Sequence, residues 1–441
     1  DIAVFNRTTA TTHEFVDRAG ALADKLVACE TLPELVAAIA RPRTIILMVP
    51  AGQPVDDQIA ALRPLLDDDD LIIDAGNANF RDTIRRATAA ERAGVPFLGI
   101  GVSGGEEGAR HGPSIMGGGP RAAWGRVAHI LTAISARYGD VPCATWMGSD
   151  GAGHFVKAVH NGIEYADMQM IAEIYGVMRD GQGREAAGIS GVFDNWNRGI
   201  LKSYLIEISA AVSAATDAET GRPVLDIILD RAGQKGTGRW TVIEAQHLGA
   251  PVPVIEAAVA ARNMSALKVQ RETGEDAFGA APVKIGDGLS DGDLEGAMIA
   301  GKIICYAQGF ELLRAASGTF GWDLPMPEIA RVWREGCIIR STMLNDMAKA
   351  LTEAPDSNLM LAPYFTDLLR QTAPQLRRTV SLALANGLPM PALSAALTYF
   401  DTMRTGRSSA NMIQAQRDFF GAHSFERVDR GGAHHGPWAM N

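Results

Sequence analysis

Apolar residues fall in short runs over the first third of the chain and at a helical period after it. The runs IAVF (2–5), TIILMV (44–49), LIIDAG (71–76) and PFLGIGV (96–102) are short and uniformly apolar, as buried strands are. Between them, PVDDQIAALRPLL and DTIRRATAAERAG place apolar residues at helical spacing, the second ending at Gly94, a C-cap residue. Strands alternating with helices predict a parallel sheet covered by helices, which assigns residues 1–150 to an α/β domain of the doubly wound, Rossmann type. From Gly153 onward the 3.6-residue period dominates, in long segments rich in Ala, Leu, Ile and Met, so residues 151–409 read as a large all-α domain. The tail, 410–441, is aromatic, glycine-rich and too irregular to build a core, and reads as an extended segment lying against another surface.

One helical segment departs from the usual pattern. In FVKAVHNGIEYADMQ (155–169), Val156, Val159, Ile163 and Met170 form an apolar stripe, while Lys157, His160, Asn161, Glu164 and Tyr165 share another face. A solvated face is the ordinary reading of such a polar stripe. Solvated faces, however, are built of Glu, Lys and Arg, and this one mixes an amine, an imidazole, an amide, a carboxylate and a phenol. Gly162, which costs about 1 kcal/mol against Ala inside a helix, implies that something packs close to this backbone. The two readings, solvent face and functional site, stand level on the helix alone.

Composition narrows the classes. The net charge of −10 disfavours a general nucleic-acid surface. Cys29, Cys143, Cys305 and Cys337 form no CxxC pair, which fits free thiols in a reducing cytosol, so the sequons at Asn6 and Asn263 are chance matches. No apolar run approaches the ~20 residues of a membrane span. The first strand ends in Asn6-Arg7-Thr8, where many dinucleotide-binding strands carry an acidic residue for a ribose; an Arg suits a 2′-phosphate, so this position favours NADP, with an N-cap at Asn6 or Thr8 beside a surface arginine as the alternative. Gly99-Ile-Gly101-Val-Ser-Gly104 matches GxGxxG, but Glu106 and Glu107 would repel a pyrophosphate there, so these glycines are expected to let the backbone approach another ligand. In QKGTGRW, Lys235 and Arg239 flank two glycines, either as a phosphate cradle or as a helix C-terminus capped by Gly236.

Four longer motifs, GVSGGEEGARHGPSIM, HFVKAVHNGIEYADMQ, AGQKGTGRW and NMIQAQRDFFGAHSFER, together closely resemble the 6-phosphogluconate dehydrogenase family, in that family's order and over nearly the whole chain. The resemblance implies NADP-dependent oxidative decarboxylation of 6-phosphogluconate to ribulose 5-phosphate and CO2, in the oxidative pentose phosphate pathway of the cytoplasm. It implies a homodimer whose C-terminal tail crosses into the partner subunit, and neither a metal, nucleic acid nor a membrane as partner. By the same resemblance, Lys157 is the general base and Glu164 the general acid. Asn77, Ser103, Gly104, Gly105, His160, Asn161 and Tyr165 would bind substrate, Lys235 and Arg262 its phosphate, and Arg417 and His423 the site of the other subunit. Asn6, Arg7, Thr8, Val49 and Asn77 would hold the coenzyme. Against the family pattern, the chain is expected to lack the opening strand and its glycine-rich loop, and Pro50 stands where a lysine is expected beside the coenzyme. The competing readings are another β-hydroxyacid dehydrogenase, with no use for the phosphate ligands, and a non-catalytic dimer without a complete coenzyme site.

Overall fold

Short β-rich runs in the first 150 residues fold into strands because most are bounded by turn residues and leave no room for a helix. In the computed structural model, which describes residues 1–234, 236–281 and 284–440, β1 (Ile2–Phe5) and β2 (Leu26–Cys29) pair in parallel, with Ile2 opposite Leu26. A second sheet contains β3 (Thr44–Leu47), β4 (Leu71–Asp74), β5 (Phe97–Ser103) and β6 (Ser114–Gly118). After a small hairpin, β7 (Arg137–Tyr138) and β8 (Val141–Pro142), it is completed by β9 (Ala144–Gly148), giving the order β3-β4-β5-β6-β9. Among the described residues the two sheets are separate.

The four strands read from the sequence are present, the first with its expected bounds, the second and third shorter at the C-terminal end and the fourth displaced by one residue, and the helix ending at Gly94 does so with that glycine at φ 75°. The sheet is not wholly parallel, however. β6 runs antiparallel to β5, with Ser103 opposite Ser114. Only the short helix Gly105–His111 lies between them, and a parallel crossover needs a dozen or more residues. β6, SIMGG, escaped the pattern because glycines replace its last apolar positions. A Cβ on Gly117 would lie 2.4 Å from the Trp124 ring, and one on Gly118 would lie 2.4 Å from the Gly153 nitrogen. The five-stranded sheet is covered on both faces. Leu71, Ile73, Ile100, Ile115, Trp124 and Leu131 fill one side, and Ile45, Leu47, Val55, Leu62, Ile72 and Phe97 the other.

Beyond β9 the chain is helical. The site helix, Ala152–Gly176, is 25 residues long and lies against β5 and β6 at its N-terminal half. The 30-residue central helix Asp291–Phe320 packs beside it and against Pro363–Ala385. Ser290 opens the central helix through a reciprocal capping box with Asp293. Between the site and central helices, Lys302 donates to Asp167 at 2.6 Å, both side chains fully buried.

The chain divides into two compact units, residues 1–396 and 397–441. The second unit contains the helix Ala410–Gly421 and the two-residue antiparallel pairing of Phe425–Glu426 with Ala433–His434. Where a core would sit, this unit has a polar knot. The buried Asp418 carboxylate accepts from the Ser424 and Gly436 amides at 2.9 Å each, from Trp438 Nε1 at 2.9 Å, and pairs with His435 at 2.6 Å. The tail thus has local order that its composition did not announce, while Met412, Ile413, Phe419 and Phe420 stay exposed.

Candidate active site

The polar face of the site helix is not a solvated face. Lys157 is 6 % exposed and His160 0 %. The apolar stripe, Val156, Val159, Ile163 and Met170, is also wholly buried, so both sides of this helix face protein. Glycine makes that possible. A Cβ on Gly162 would lie 2.7 Å from Thr241, whose hydroxyl donates to the Ala158 carbonyl at 2.6 Å. A Cβ on Gly101 would lie 2.4 Å from that of Lys157, and one on Gly99 would meet the His154 ring. The glycines of β5 therefore admit the site helix, not the ligand expected from the sequence.

Lys157 Nζ has three hydrogens and three acceptors around it: Asn161 Oδ1 at 2.7 Å, Ser103 Oγ at 2.9 Å and His160 Nδ1 at 3.1 Å. Ser103 is presented by the turn that ends β5. Gly104 and Gly105 stand there at φ 112° and 59°, and a Cβ on Gly104 would lie 2.6 Å from the Gly336 carbonyl oxygen. His160 Nε2 reaches Ser103 Oγ at 3.3 Å, and its ring meets the edge of Trp333. Asn161 Nδ2 points to Asn77 Oδ1 at 3.4 Å, which brings the loop after β4 to the same place.

Burial sets the charges here. It lowers Lys157 to about 8, against the opposing pull of Glu164 and Cys337. It raises the Glu164 carboxyl above its ordinary range, against Lys157 and Arg262. It also holds His160 well below its ordinary range, with Lys157 adding to the effect. Glu164 Oε2 lies 3.7 Å from His160 Nδ1, a distance that would suit an ion pair; with the imidazole neutral it is a polar contact only. The site thus holds an amine whose pKa burial lowers and a carboxyl whose pKa burial raises, two turns apart on one rigid element.

Arg262 joins from the helix Pro253–Ser265. Its guanidinium stacks 3.6 Å from the Tyr165 ring centre. That ring in turn lies against Gly238, where a Cβ would come within 2.5 Å of it. Lys235 lies outside the described residues. Gly236, at φ 87°, opens the helix Thr237–Leu248 as its N-cap and does not close a helix. At the end of β1, Asn6 Oδ1 accepts from the Thr8 amide at 2.9 Å, Thr8 is the N-cap of Thr9–Asp17, and Arg7 is exposed. Val49 follows β3, its carbonyl packed against Gly76. In the second unit, Arg417 donates to Gln414, and His423 lies over Gly421 between Ala422 and Ser424, both with positive φ (50° and 58°).

Three residues at or beside the site were not singled out from the sequence: His154, Thr83 and Thr241. His154 lies one turn before Lys157, so the spacing of the stripe would have found it. Thr83 and Thr241 carry no sequence signal, since each matters only through what packs against it.

A family model described as the NAD binding domain of 6-phosphogluconate dehydrogenase matches residues 1–148, and one described as the 6-phosphogluconate dehydrogenase C-terminal domain matches residues 153–438. The chain is 45 % identical to the NADP(+)-dependent, decarboxylating 6-phosphogluconate dehydrogenase of Bacillus subtilis, over 99 % of this chain and 94 % of that protein. It is 44 % identical to the NAD(+)-dependent enzyme of the same organism, over 100 % and 94 %. The solved Plasmodium falciparum 6-phosphogluconate dehydrogenase, described in apo form and in complex with NADP+ and with 6-phosphogluconate, superimposes with a TM-score of 0.95 at 40 % identity. That match covers 99 % of this chain and 95 % of the other.

Proposed function

This chain belongs to the 6-phosphogluconate dehydrogenase family, and we propose that its site oxidises and decarboxylates 6-phosphogluconate to ribulose 5-phosphate and CO2, with Lys157 as base and Glu164 as acid. The observation that carries this reading is the buried amine of Lys157, ringed by Ser103, His160 and Asn161 and sharing a helix face with Glu164.

A base must offer a lone pair. With its pKa lowered to about 8, Lys157 has a sizeable neutral fraction near neutral pH. A neutral amine donates only two hydrogen bonds, so the longest of its three contacts, His160 at 3.1 Å, is the one a substrate hydroxyl replaces. NADP, when bound, supplies the hydride acceptor for carbon 3. Lys157 takes the 3-hydroxyl proton and, as an ammonium ion, stabilises the enol oxygen that forms as CO2 departs. Glu164, whose pKa burial raises, delivers the proton to carbon 1 of the enediol left by CO2, the former carbon 2 of the substrate. His160 and Asn161 orient the sugar hydroxyls. Ser103, Gly104 and Gly105 cradle the substrate from the opposite wall.

Arg262 supplies a cation for the substrate phosphate, with Tyr165 beneath it and Lys235 as its expected partner. A small 3-hydroxy acid would have no use for this cation, which favours the phosphorylated sugar acid. For the coenzyme, relatives named for NAD and for NADP are almost equally similar, so identity does not choose between them. Arg7 does. The Asn6–Thr8 hydrogen bond folds the turn under it and leaves its guanidinium exposed past the end of β1, which suits a 2′-phosphate. Val49 and Asn77 lie on the loops after β3 and β4, the strand ends where coenzymes bind in such sheets. No described helix is long and apolar enough to cross a membrane, and four buried, unpaired cysteines support a reducing cytosol. The exposed apolar face of Ala410–Gly421 supports a homodimer in which each tail lies on the partner and brings Arg417 and His423 to its site.

The decisive test is a coupled assay of the purified chain for NADPH and CO2 with 6-phosphogluconate. One NADPH and one CO2 per substrate are expected. NADPH without CO2, or turnover of an unphosphorylated hydroxy acid at equal efficiency, would refute the assignment.

A further inference from the structure

The site helix carries a second buried imidazole for which the proposed mechanism has no use. His154 is 1 % exposed and occupies the space left by the missing side chain of Gly99. Its Nε2 lies 3.1 Å from the Gly76 carbonyl oxygen and its Nδ1 2.7 Å from Thr83 Oγ1. A carbonyl only accepts, so Nε2 carries the proton and donates to Gly76; Nδ1 then accepts from the Thr83 hydroxyl. The Asn79 carbonyl lies 3.2 Å from the same hydroxyl, but its single proton goes to the nearer nitrogen. Burial lowers the pKa of His154, which agrees with a neutral ring in this one tautomer.

Gly76 is fixed on both sides of its Cα. Its amide donates to Asp74 Oδ1 at 3.0 Å, its carbonyl accepts from His154, and a Cβ would lie 2.9 Å from the Val49 carbonyl oxygen. Asp74 is braced in turn by Arg86, which also holds Asp56 and the Gly52 carbonyl. The next residue is Asn77, exposed, with its carboxamide turned to Asn161. A connected chain therefore runs from Thr83 through His154, Gly76, Asn77 and Asn161 to Lys157.

We propose that His154 is a positioning residue: by holding the Gly76 carbonyl it sets where Asn77 stands against Asn161 and Lys157, and thereby the register between the loop after β4 and the base. The inference rests on the role given above to Asn77. A misplacement of about 1 Å at such a residue costs on the order of 100-fold in rate.

The test is a cycle of His154→Leu, Asn77→Ala and the double variant. It reads kcat/KM, amide hydrogen exchange over residues 75–79 of the free protein, and Tm. His154→Leu should lose roughly 10- to 100-fold in kcat/KM and speed exchange at Gly76 and Asn77. His154→Gln, which keeps an N–H near Nε2, should recover most of both. The double variant should be no slower than the slower single variant, because His154 acts through Asn77. Losses that multiply, or slow exchange at Gly76 in His154→Leu, would overturn the inference and leave the mechanism intact. Full activity in Asn77→Ala would instead overturn the role of Asn77 and the inference with it. If His154→Leu does not fold, Thr83→Val takes its place in the cycle, since it frees the ring to change tautomer. Several-fold slower turnover with faster Gly76 exchange is then expected, and wild-type values of both would overturn the proposal.

Discussion

At Lys157 two demands conflict: an amine that is to accept a proton must be neutral, and one that is to stabilise an enol oxygen must be charged. A pKa of about 8 serves both, since either form is reached at small cost near neutral pH. The rate should therefore rise with pH through about 8 as the free amine appears. Because Glu164 raises the lysine, Glu164→Gln should move that rising limb to lower pH while losing most of the rate. Lys157→Met should abolish turnover and leave substrate binding largely unchanged, since the base acts on the barrier. Steady-state pH profiles and substrate titrations check all three; an unmoved limb in Glu164→Gln would mean the two groups do not feel each other. At Arg7, removal of a charge-assisted phosphate contact should cost about 1.5–3 kcal/mol. Arg7→Ala should accordingly raise the NADP KM by roughly ten- to a hundred-fold and leave that for NAD unchanged. Equal use of the two coenzymes by the unaltered protein would refute this role.

Between elements, the buried pair of Lys302 and Asp167 ties the central helix to the site helix nearly three turns beyond Lys157. Asp167 Oδ1 has no hydrogen-bond partner among the described residues, so the carboxylate depends on this lysine. Lys302→Met should destabilise the fold by about 3–5 kcal/mol, because it strands a charge, while Lys302→Met with Asp167→Leu should recover much of that. Denaturant unfolding of both variants measures this; equal losses would show that packing, not charge, is responsible. The same element scale explains what the sequence concealed in β5 and β6. Their glycines are gaps cut for His154, Lys157, Trp124 and Gly153, and a gap cannot be read without knowing what fills it.

For the whole molecule, the reading that the tail serves a partner subunit makes a prediction no single chain can satisfy. Lys157→Met and Arg417→Ala should each be nearly inactive as homodimers. Mixed dimers hold one site with both residues intact, so random association should restore roughly a quarter of wild-type activity. Co-expression with two tags, followed by sequential pull-down, isolates these dimers; mixed dimers that stay inactive would assign each tail to its own subunit.

Much of this was legible in the chain itself. The four apolar runs, the helical period after Gly153, the polar stripe of the site helix and the significance of Gly162 are local patterns, set by the periods of strand and helix and by the cost of glycine in a helix. The place of Arg7 just past a strand end could be read too, because the run IAVF marks that strand locally. Other features depend on tertiary structure. Packing around the polar stripe lowers the pKa of Lys157 and raises that of Glu164, and desolvation is a property of everything packed around a group, not of its neighbours in sequence. The antiparallel turn of β6, the meeting of Asn77 with Asn161, and the single tautomer of His154 between Thr83 and Gly76 join residues tens of positions apart. Their energies come from contacts that exist only after the site helix has been laid against the sheet.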